Sequence, residues 1–537
     1  MPYMRSVSLP KAASFFAVIL LVFCLQDGWL FPDPKLSETF QTQISSLINQ
    51  PKWESSFWGI HIVSLKDGST IYSLNSKKRF LPASNMKLLI AAAALDRLGP
   101  DFAFDTPVFA EGRIDSQGRI LGNLVLAGRG DPNLEGRVYK PEQEDLARAD
   151  FPPFIVKITD LLISRGIQII TGDIVADDTF FLHEPYGQGW SWEDLSWRYG
   201  APVSALAVSE NYCSVEILPG EKEGDPAWIR SFPFETGLEF INKTKTVEKT
   251  RRLSIGVERS RNGNEFVLEG EIPLEHSSLK YDLAIPEPAE FASLLLKSAL
   301  NRRGISVIGK ASRRSLNPLD VLQDGKISIH RARALQTRYP EDSKIGSITT
   351  APLSETIKIM LKVSHNLYAE MLLRVLGART AEGLGATETG IAALEEFLEK
   401  TGTSKNALSL KDGSGLSRRN LVTPESIVRL LEYMDKHPYG RFFLDSLPIA
   451  GVDGTLKNRM LQTSAAGRIH AKTGSIESAS TLSGYAYTRQ GERLAFSIII
   501  NNETASGHEV REVMDKICQE MVKYDFEGQA RGTTEGN

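Results

Sequence analysis

Residues 81–95 have the sequence Leu81-Pro82-Ala83-Ser84-Asn85-Met86-Lys87-Leu88-Leu89-Ile90-Ala91-Ala92-Ala93-Ala94-Leu95. Beyond Lys87 the run is apolar nearly all round, which predicts a buried helix that Gly99-Pro100 ends. Ser84 and Lys87 share one face of that helix, one turn apart. A serine becomes a nucleophile when a base takes its proton, and burial can make a lysine that base by lowering its pKa. The helix N-terminus also aims backbone N–H groups at an oxyanion.

The Ser-x-x-Lys spacing is a weak signal by itself, because it also begins at Ser8 and at Ser277. Ser8 lies in the N-terminal targeting segment described below. Ser277 lies in a charged, polar stretch without a buried helix after it. Only Ser84 has the buried helix that this chemistry needs.

A second candidate element is Ser364-His365-Asn366, which lies between two predicted helical runs. Ser-x-Asn also begins at Ser73, Ser209, Ser260, Ser315 and Ser404. Its position between helices is what singles out Ser364.

The third element is Lys472-Thr473-Gly474, which Ser475 follows. Lys400-Thr401-Gly402 is the same tripeptide, but it ends a predicted helix, where the glycine serves as a cap and the lysine as a last-turn cation. Lys472 instead lies in an extended segment before a predicted strand. An edge strand at this point would offer backbone groups, a cation and a hydroxyl to a substrate carboxylate.

Composition excludes several classes of function. The chain of 537 residues has 62 Lys and Arg against 66 Asp and Glu, and a net charge of −4 gives no electrostatic case for a nucleic-acid partner. The histidines and cysteines show no HExxH or CxxC spacing, so neither a metal nor a cofactor is predicted. Cys213 and Cys518 either form one disulfide or stay as two separately buried thiols.

The N-terminus predicts export. Arg5 and Lys11 precede a mostly apolar run at 12–25, which is shorter than the ~20 residues of a membrane span. Residues 1–30 are therefore predicted to be a secretory signal peptide, or a membrane anchor if the weak cleavage site is not used. We expect the protein in the periplasm or cell envelope. Residues 526–537 are predicted to be a disordered tail.

Helix-rich pieces flank a strand-rich middle, and the strands at the edges of these pieces are predicted at 58–65, 69–74, 481–487 and 493–500. This pattern predicts an α/β (α+β) chain with one discontinuous domain, 33–102 plus 345–525, and an inserted domain at 103–344. A helix, an Arg-Gly-Ile turn and a β-branched strand occur twice in the insertion, around Gly166 and Gly304. The polar segment at about 212–275 predicts a nested subdomain.

The three motifs, in this order, resemble those of the D-alanyl-D-alanine carboxypeptidase/endopeptidase family, the class C type low-molecular-mass penicillin-binding proteins of peptidase family S13. The resemblance extends over about 35–525. It is also carried by the segments 128–132, 189–192, 364–370, 412–418 and 450–456. Ser84 and Ser364 lie 280 positions apart, as the family's large insertion requires and compact β-lactamases do not allow. His365 departs from the residues common at this position, and its side chain is not required for proton relay.

The resemblance implies a β-lactamase/transpeptidase-like fold in which Ser84 is acylated and Lys87 is its general base. Ser364 would relay a proton to the leaving D-alanine amine, and Asn366 would bind the substrate's peptide backbone. Lys472 would hold the terminal carboxylate and lower the pKa of Lys87 by like-charge repulsion.

The remaining site residues are also implied by the resemblance. In the segment Thr473-Gly474-Ser475, Thr473 would help to hold the carboxylate, and the N–H of Ser475 would form an oxyanion hole with that of Ser84. Arg418 resembles a pocket arginine, with a solvated loop cation as the alternative. Asp177, or Asp178 beside it, resembles an acid directed at the diamino-acid side chain, with a solvated strand end as the alternative.

The predicted function is a serine-type D-Ala-D-Ala carboxypeptidase and DD-endopeptidase. It would act on peptidoglycan stem peptides without a metal or organic cofactor, and β-lactams would inhibit it by acylating the same serine. One alternative is a β-lactamase or esterase on the same fold, for which the sequence shows no obvious glutamate to position a deacylating water. The other is a non-catalytic wall-binding scaffold.

Overall fold

The structure, a computed structural model, describes residues 34–142, 149–260, 263–380 and 383–525. The predicted signal segment at 1–30 and the predicted tail at 526–537 lie outside these residues. The helices are α1 (Pro34–Ile48), α2 (Met86–Leu98), α3 (Pro153–Ser164), α4 (Pro288–Arg302), α5 (Pro318–Val321), α6 (Ile329–Leu335), α7 (Leu353–Lys362), α8 (Asn366–Ala378), α9 (Thr387–Lys400), α10 (Pro424–Lys436), α11 (Gly440–Ser446) and α12 (Gly507–Lys523). The strands are β1 (Phe57–Ser64), β2 (Thr70–Leu74), β3 (Asp105–Ile114), β4 (Arg119–Ala127), β5 (Ile169–Ile170), β6 (Ile174–Leu182), β7 (Tyr212–Leu218), β8 (Trp228–Phe232), β9 (Glu239–Val247), β10 (Ser254–Arg259), β11 (Glu265–Pro273), β12 (Leu279–Ala284), β13 (Ser306–Val307), β14 (Ala311–Leu316), β15 (Leu322–Gln323), β16 (Lys326–Ile327), β17 (Lys344–Thr349), β18 (Ile469–Ile476), β19 (Ala479–Tyr487) and β20 (Arg493–Asn501).

A five-stranded antiparallel sheet joins the two ends of the chain in the order β18-β19-β20-β1-β2. Side chains alternate along β20, so that Phe496 and Ile498 pack into the core with α1 and α12, whereas Ala495 and Ile499 pack into the core on the other side. Both faces of the sheet are covered here, which explains why β20 is apolar from Leu494 to Ile500 except at Ser497. The predicted strands at 58–65, 69–74, 481–487 and 493–500 are confirmed to within two residues.

Helix α2 lies at the centre of the helical core next to this sheet. Each residue from Met86 to Leu95 is buried, and α7, α8, α9 and α10 contribute side chains to the same core. Gly99 ends the helix with a φ of +80°, a conformation that favours glycine. The predicted buried helix is confirmed, but it begins at Met86, after a short 3-10 turn over Ala83–Asn85.

The two repeated units of the insertion lie side by side. Strand β5 follows α3 and strand β13 follows α4, and the two strands pair in parallel. Both helices pack into one core, which also contains side chains of β4 and β6. Gly166 and Gly304 adopt φ values of +73° and +86° in the two Arg-Gly-Ile turns, so the repeated glycine serves a left-handed turn in each unit.

A seven-stranded mixed sheet forms the main layer of the insertion. Its order is β13-β5-β4-β3-β17, with β6 pairing both β4 and β14. Strand β17 pairs antiparallel with β3, and Thr349 lies opposite Asp105. The strand that returns the chain to the first region therefore belongs to the inserted sheet, a few residues beyond the predicted boundary at 345.

The segment predicted as a nested subdomain contains two small sheets. One has the order β12-β7-β8 and the other β10-β11-β9. Strand β12 lies just past the predicted limit of 275, since Leu279–Ala284 pairs with β7.

The cysteines settle one open alternative. Cys213 and Cys518 are both free and buried, in β7 and α12, and they belong to different cores. Two separate thiols are confirmed, and the disulfide is wrong. Among the described ranges, no helix combines the length and the apolar character that crossing a membrane requires.

The packing of the five-stranded sheet is testable with one pair of substitutions. Replacing fully buried Ile498 with Ala should lower the free energy of unfolding by about 2–5 kcal/mol, because it leaves a cavity in the core. The control Ile308→Ala removes the same atoms from a side chain that is 69% exposed, and it should change that free energy by no more than about 0.5 kcal/mol. Urea denaturation followed by tryptophan fluorescence measures both, because Trp53 and Trp58 share the core of Ile498. Equal shifts in the two variants would contradict this packing.

Candidate active site

The three sequence motifs meet at one end of β18. Ser84 lies in the turn before α2, Ser364 lies between α7 and α8, and Lys472 lies on β18 at the sheet edge. Ser84 and Ser364 line a cavity of about 260 Å³ together with the segment Thr473-Gly474-Ser475 and Thr455. The structure therefore brings together residues that are 388 positions apart in the sequence.

Lys87 is fully buried, and its Nζ contacts three oxygens that come from three segments of the chain. It lies 2.7 Å from Ser84 Oγ, 2.7 Å from Asn366 Oδ1 and 2.7 Å from the Ser414 carbonyl oxygen. A neutral amine has two N–H donors and one lone pair. Because the amide and carbonyl oxygens can only accept, they take the two N–H groups and leave the lone pair for the Ser84 hydroxyl proton.

Burial lowers the pKa of Lys87 to about 7, against the opposing charges of Asp412 and Glu370. Burial was predicted to lower this pKa, and this is confirmed, whereas the additional repulsion predicted from Lys472 is not what lowers it. The repulsion acts on the other partner, since burial and the charge of Lys87 lower the pKa of Lys472 well below its usual value. A substrate carboxylate beside Lys472 would raise that pKa again.

Ser364 is the second hydroxyl of the site. Its Oγ lies 2.8 Å from Lys472 Nζ, which also donates to the Thr473 carbonyl oxygen at 2.6 Å. Ser364 adopts a φ of +61°, an uncommon backbone conformation for a residue with a side chain. The turn that contains it must therefore be held by its surroundings.

Two glycines allow the segments to approach closely. A Cβ on Gly474 would lie 2.8 Å from the backbone nitrogen of Ser84. A Cβ on Gly415 would lie 1.8 Å from the Ala83 carbonyl oxygen, and Gly415 has a φ of +85°. Both sites exclude a side chain, which explains glycine at the end of the Lys-Thr-Gly motif and in the 412–418 segment.

The second Lys-Thr-Gly and the Ser-x-x-Lys match at Ser277 lie elsewhere, as predicted. Lys400 is the last residue of α9 and forms an ion pair with Asp96 at 2.8 Å, and Gly402 has a φ of +76°. Lys280 lies on β12, opposite Glu216.

The 412–418 segment supplies a group that the sequence analysis did not identify. Asp412 Oδ1 accepts from the Gly415 N–H at 2.8 Å, and Glu370 Oε1 accepts from the Ser414 N–H at 2.7 Å. These two carboxylates hold the turn so that the Ser414 carbonyl oxygen reaches Lys87. The Asp-Gly-Ser-Gly sequence signals a tight turn, but a backbone acceptor has no residue signature of its own.

The 450–456 segment supplies Thr455, which the sequence analysis also missed. Its Oγ1 lies 2.8 Å from Thr473 Oγ1. The loop is held by Asp453, which forms an ion pair with buried Lys362 at 2.6 Å, and by Tyr139, whose hydroxyl accepts from the Gly454 N–H. A second hydroxyl therefore lies next to the predicted carboxylate-binding residue.

The structure does not bring the two remaining predicted residues into the cavity beside Ser84. Arg418 is about one third exposed and forms an ion pair with Asp194 at 3.1 Å, with Glu477 at 4.0 Å on its other side. Asp177 lies on β6 and is 1% exposed, where the Tyr339 hydroxyl donates to it. Because Asp177 is buried, the alternative that it is a solvated strand end is wrong. Asp178 is also buried and accepts from Ser204 at 2.9 Å.

No group of three or more His, Cys, Asp or Glu residues in the described part of the chain is arranged to hold a metal ion. The groups that meet at Ser84 are hydroxyls, amines, an amide and backbone carbonyls. Such a set can activate a serine, receive its proton and return that proton to a leaving group. The fold and site thus define a serine hydrolase of the β-lactamase/transpeptidase-like class.

Comparison with known proteins identifies the family. Residues 40–521 match the family model described as the D-Ala-D-Ala carboxypeptidase 3 (S13) family. A D-alanyl-D-alanine carboxypeptidase of Actinomadura sp. is 33% identical over 90% of this chain and 84% of its own length. Penicillin-sensitive carboxypeptidase A of Dictyostelium discoideum is 26% identical over 87% of each chain. The crystal structure of penicillin binding protein 4 (dacB) from Haemophilus influenzae aligns with a TM-score of 0.73 and 25% identity, over 90% of this chain and 99% of that one.

The chain belongs to the D-Ala-D-Ala carboxypeptidase 3 (S13) family, and it is a serine-type D-Ala-D-Ala carboxypeptidase.

The buried lysine predicts how activity depends on pH. Because only the neutral amine can accept the Ser84 proton, kcat/KM for D-alanine release should rise about tenfold per pH unit below a midpoint near pH 7 and level off above it. Initial rates of D-alanine release on a pentapeptide between about pH 5 and about 9 measure this profile.

Titration of Glu370 would give a midpoint at the same pH as that expected for Lys87, because burial also raises the pKa of Glu370 to about 7. In Glu370→Gln a midpoint due to Lys87 should persist at lower pH, because a negative charge that raises the lysine pKa has been removed. Loss of the midpoint would assign it to Glu370 instead. Lys400→Ala serves as the control and should keep the wild-type profile.

Proposed function

We propose that Ser84 is the acylated nucleophile and that Lys87 is its general base. The observation that carries this assignment is the 2.7 Å contact between Lys87 Nζ and Ser84 Oγ, with the other two contacts of the amine directed at acceptors. The pKa of about 7 supports it, because a substantial fraction of the lysine is then neutral near neutral pH.

In the proposed reaction, Ser84 Oγ attacks the carbonyl carbon of the penultimate D-alanine while Lys87 takes its proton. The N–H groups of Ser84 and Ser475 stabilise the oxyanion. Ser364 then relays the proton held by Lys87 to the leaving nitrogen, so that Lys87 is neutral again and Ser364 keeps its hydroxyl, and the C–N bond breaks and D-alanine departs. Water hydrolyses the ester on Ser84 and restores the enzyme.

The substrate carboxylate is proposed to bind at the end of β18. Lys472 supplies a cation there, and the Thr473 and Thr455 hydroxyls lie 2.8 Å apart beside it. Asn366 donates to the Tyr199 carbonyl oxygen and contacts Lys87, so its amide is fixed at the wall where a peptide backbone would lie. Arg418 remains a candidate pocket residue. Asp177 remains a candidate for contacting the diamino-acid side chain, for which it would first have to leave Tyr339.

A β-lactam would acylate the same serine, since its ring amide offers the carbonyl that Ser84 attacks. The name of the Dictyostelium relative, a penicillin-sensitive carboxypeptidase, supports this proposal. A β-lactamase is less well supported, because the described residues that line the cavity beside Ser84 include no carboxylate to position a deacylating water. The assembled Lys87 and Lys472 contacts also disfavour a non-catalytic scaffold.

Covalent labelling tests the nucleophile. A fluorescent penicillin should label the wild-type protein on a denaturing gel, and Ser84→Ala should abolish both the label and D-alanine release. Ser277→Ala is the matched control, because it changes the serine of the other described Ser-x-x-Lys match, and it should be labelled like the wild type. Label on folded Ser84→Ala protein would contradict the assignment.

We also propose DD-endopeptidase activity. A second cavity, of about 490 Å³, shares Ser364 and Thr455 with the cavity beside Ser84 and extends past Trp197, Arg198 and Asn458. A free D-alanine leaving group does not need this room, which is in the range of small-molecule sites. A cross-linked peptide does, because its chain continues beyond the leaving nitrogen.

Filling this cavity should separate the two activities. Asn458 is exposed at the cavity wall, so Asn458→Trp should lower the rate of cleavage of a cross-linked peptide dimer at least about tenfold while changing D-alanine release from a monomeric pentapeptide less than about twofold. Asn49→Trp, at an exposed site on the far side of the sheet at the end of α1, is the control. Equal losses on both substrates would argue against a subsite here.

Export to the periplasm or cell envelope is part of the proposal. It is supported by the basic and apolar pattern of residues 1–30 and by the substrate class of the family, since D-Ala-D-Ala peptides belong to peptidoglycan.

A further inference from the structure

One of the lookalike Ser-x-Asn matches lies against the true one. Ser209-Glu210-Asn211 precedes β7 in the insertion, and its three residues have φ values of +52°, +52° and +55°. Consecutive left-handed residues other than glycine are costly, and such strain persists only where the surroundings hold it. All three residues are buried.

The side chain of Glu210 extends from this turn, and its carboxylate contacts four other side chains. Oε2 lies 2.8 Å from His365 Nε2 and 2.9 Å from Arg198 Nη2. Oε1 accepts from the Tyr368 hydroxyl at 3.0 Å and from Arg137. Burial opposes the charge, but His365 and the two arginines together hold the pKa of Glu210 well below its usual range.

These partners come from both regions of the protein. Arg137 and Arg198 belong to the insertion, whereas His365 and Tyr368 belong to the Ser-x-Asn turn and the first turn of α8. The rings of His365 and Tyr368 also pack together, with their centroids 4.2 Å apart. The carboxylate of Glu210 therefore ties the insertion to the catalytic region.

The contact with Glu210 fixes His365, which lies between Ser364 and Asn366 in the sequence. Ser364 precedes His365 and contacts Lys472, and Asn366 follows it and contacts Lys87. Ser364 has the left-handed φ noted above, so its hydroxyl stays in place only if the turn is restrained. The insertion restrains the next position as well, because Asn366 donates to the Tyr199 carbonyl oxygen at 2.8 Å.

We infer that Glu210 is a positioning residue that acts through His365 to keep the Ser364 hydroxyl where it can protonate the leaving nitrogen. The inference rests on the proposed role of Ser364 in the reaction. It assigns a function to the His365 side chain, which the sequence analysis regarded as dispensable for proton relay.

The chemistry of the leaving group gives a test that a merely structural role would not satisfy. An amide nitrogen must gain a proton before the C–N bond breaks, whereas a thiolate leaves without one. A displaced Ser364 should therefore slow acylation by an amide and spare acylation by a thioester analogue with sulfur in place of the leaving nitrogen. Loss of fold or of active enzyme would lower both rates equally.

The experiment compares kcat/KM for the amide and the thioester in Glu210→Gln and His365→Ala. The second variant leaves Glu210 with both arginines and Tyr368, so it removes the link together with the packing of the His365 and Tyr368 rings, and it keeps the test available if Glu210→Gln does not fold. We expect the amide value to fall about 100-fold and the thioester value less than about threefold. Ser364→Ala is the reference and should show the same selectivity.

The matched control is Asp96→Asn. Asp96 is a mostly buried carboxylate at the end of α2 that also contacts a cation, a tyrosine hydroxyl and a histidine, namely Lys400, Tyr433 and His437, and none of these belongs to the turn of Glu210 or to the Ser-x-Asn turn. It should leave the ratio of the two rates unchanged. A changed ratio in this variant would overturn the assignment to Glu210, because it would show that any loss of a buried carboxylate has the same effect.

Two other outcomes would overturn the inference, and they can be told apart. Equal losses on amide and thioester in both folded variants, or no loss at all, would show that Glu210 does not position Ser364. An unchanged ratio in Ser364→Ala would overturn the proposed relay by Ser364, and the inference with it. The thioester rate of each variant reports separately on whether Ser84 is intact, because it needs the nucleophile but no proton on the leaving group.

Discussion

The burial of a single amine constrains the rest of the catalytic region. Lys87 Nζ has room for three partners, and the three come from the turn before α2, the start of α8 and the 412–418 segment. An unpaired buried ammonium or amine is costly, so these segments must arrive together or the helix cannot bury its first turn. The same interaction that organises the core thus leaves a lone pair directed at a serine.

The helices and strands that carry this arrangement could largely be predicted, because the spacing of apolar side chains along the sequence indicates them. The all-apolar run after Lys87 indicated α2, and the strand patterns at both chain ends indicated β1, β2, β19 and β20. Context separated Ser84 from Ser277 and Lys472 from Lys400, since only one copy of each motif had the neighbouring element that the chemistry required.

The parts that were missed depend on contacts that no local pattern records. Ser414 acts through a backbone carbonyl, which every residue type possesses. Glu210 belongs to a tripeptide that matched the Ser-x-Asn pattern and was set aside, and its partner His365 lies 155 positions away. The low lysine pKa was predicted only in part, because the apolar run after Lys87 indicates that the amine is buried, whereas no local pattern shows that Asp412 and Glu370 lie close enough to oppose the shift.

The pairing of Asp105 with Thr349 brings the two ends of the insertion together. Residues opposite each other on antiparallel strands have Cα atoms about 5 Å apart, so the chain leaves the catalytic region and rejoins it at nearly one point. A module joined in this way leaves the path of the surrounding chain unchanged, as an insertion at a surface loop does. Away from this point the connection is chemical, since Glu210 of the insertion contacts His365 and Tyr368.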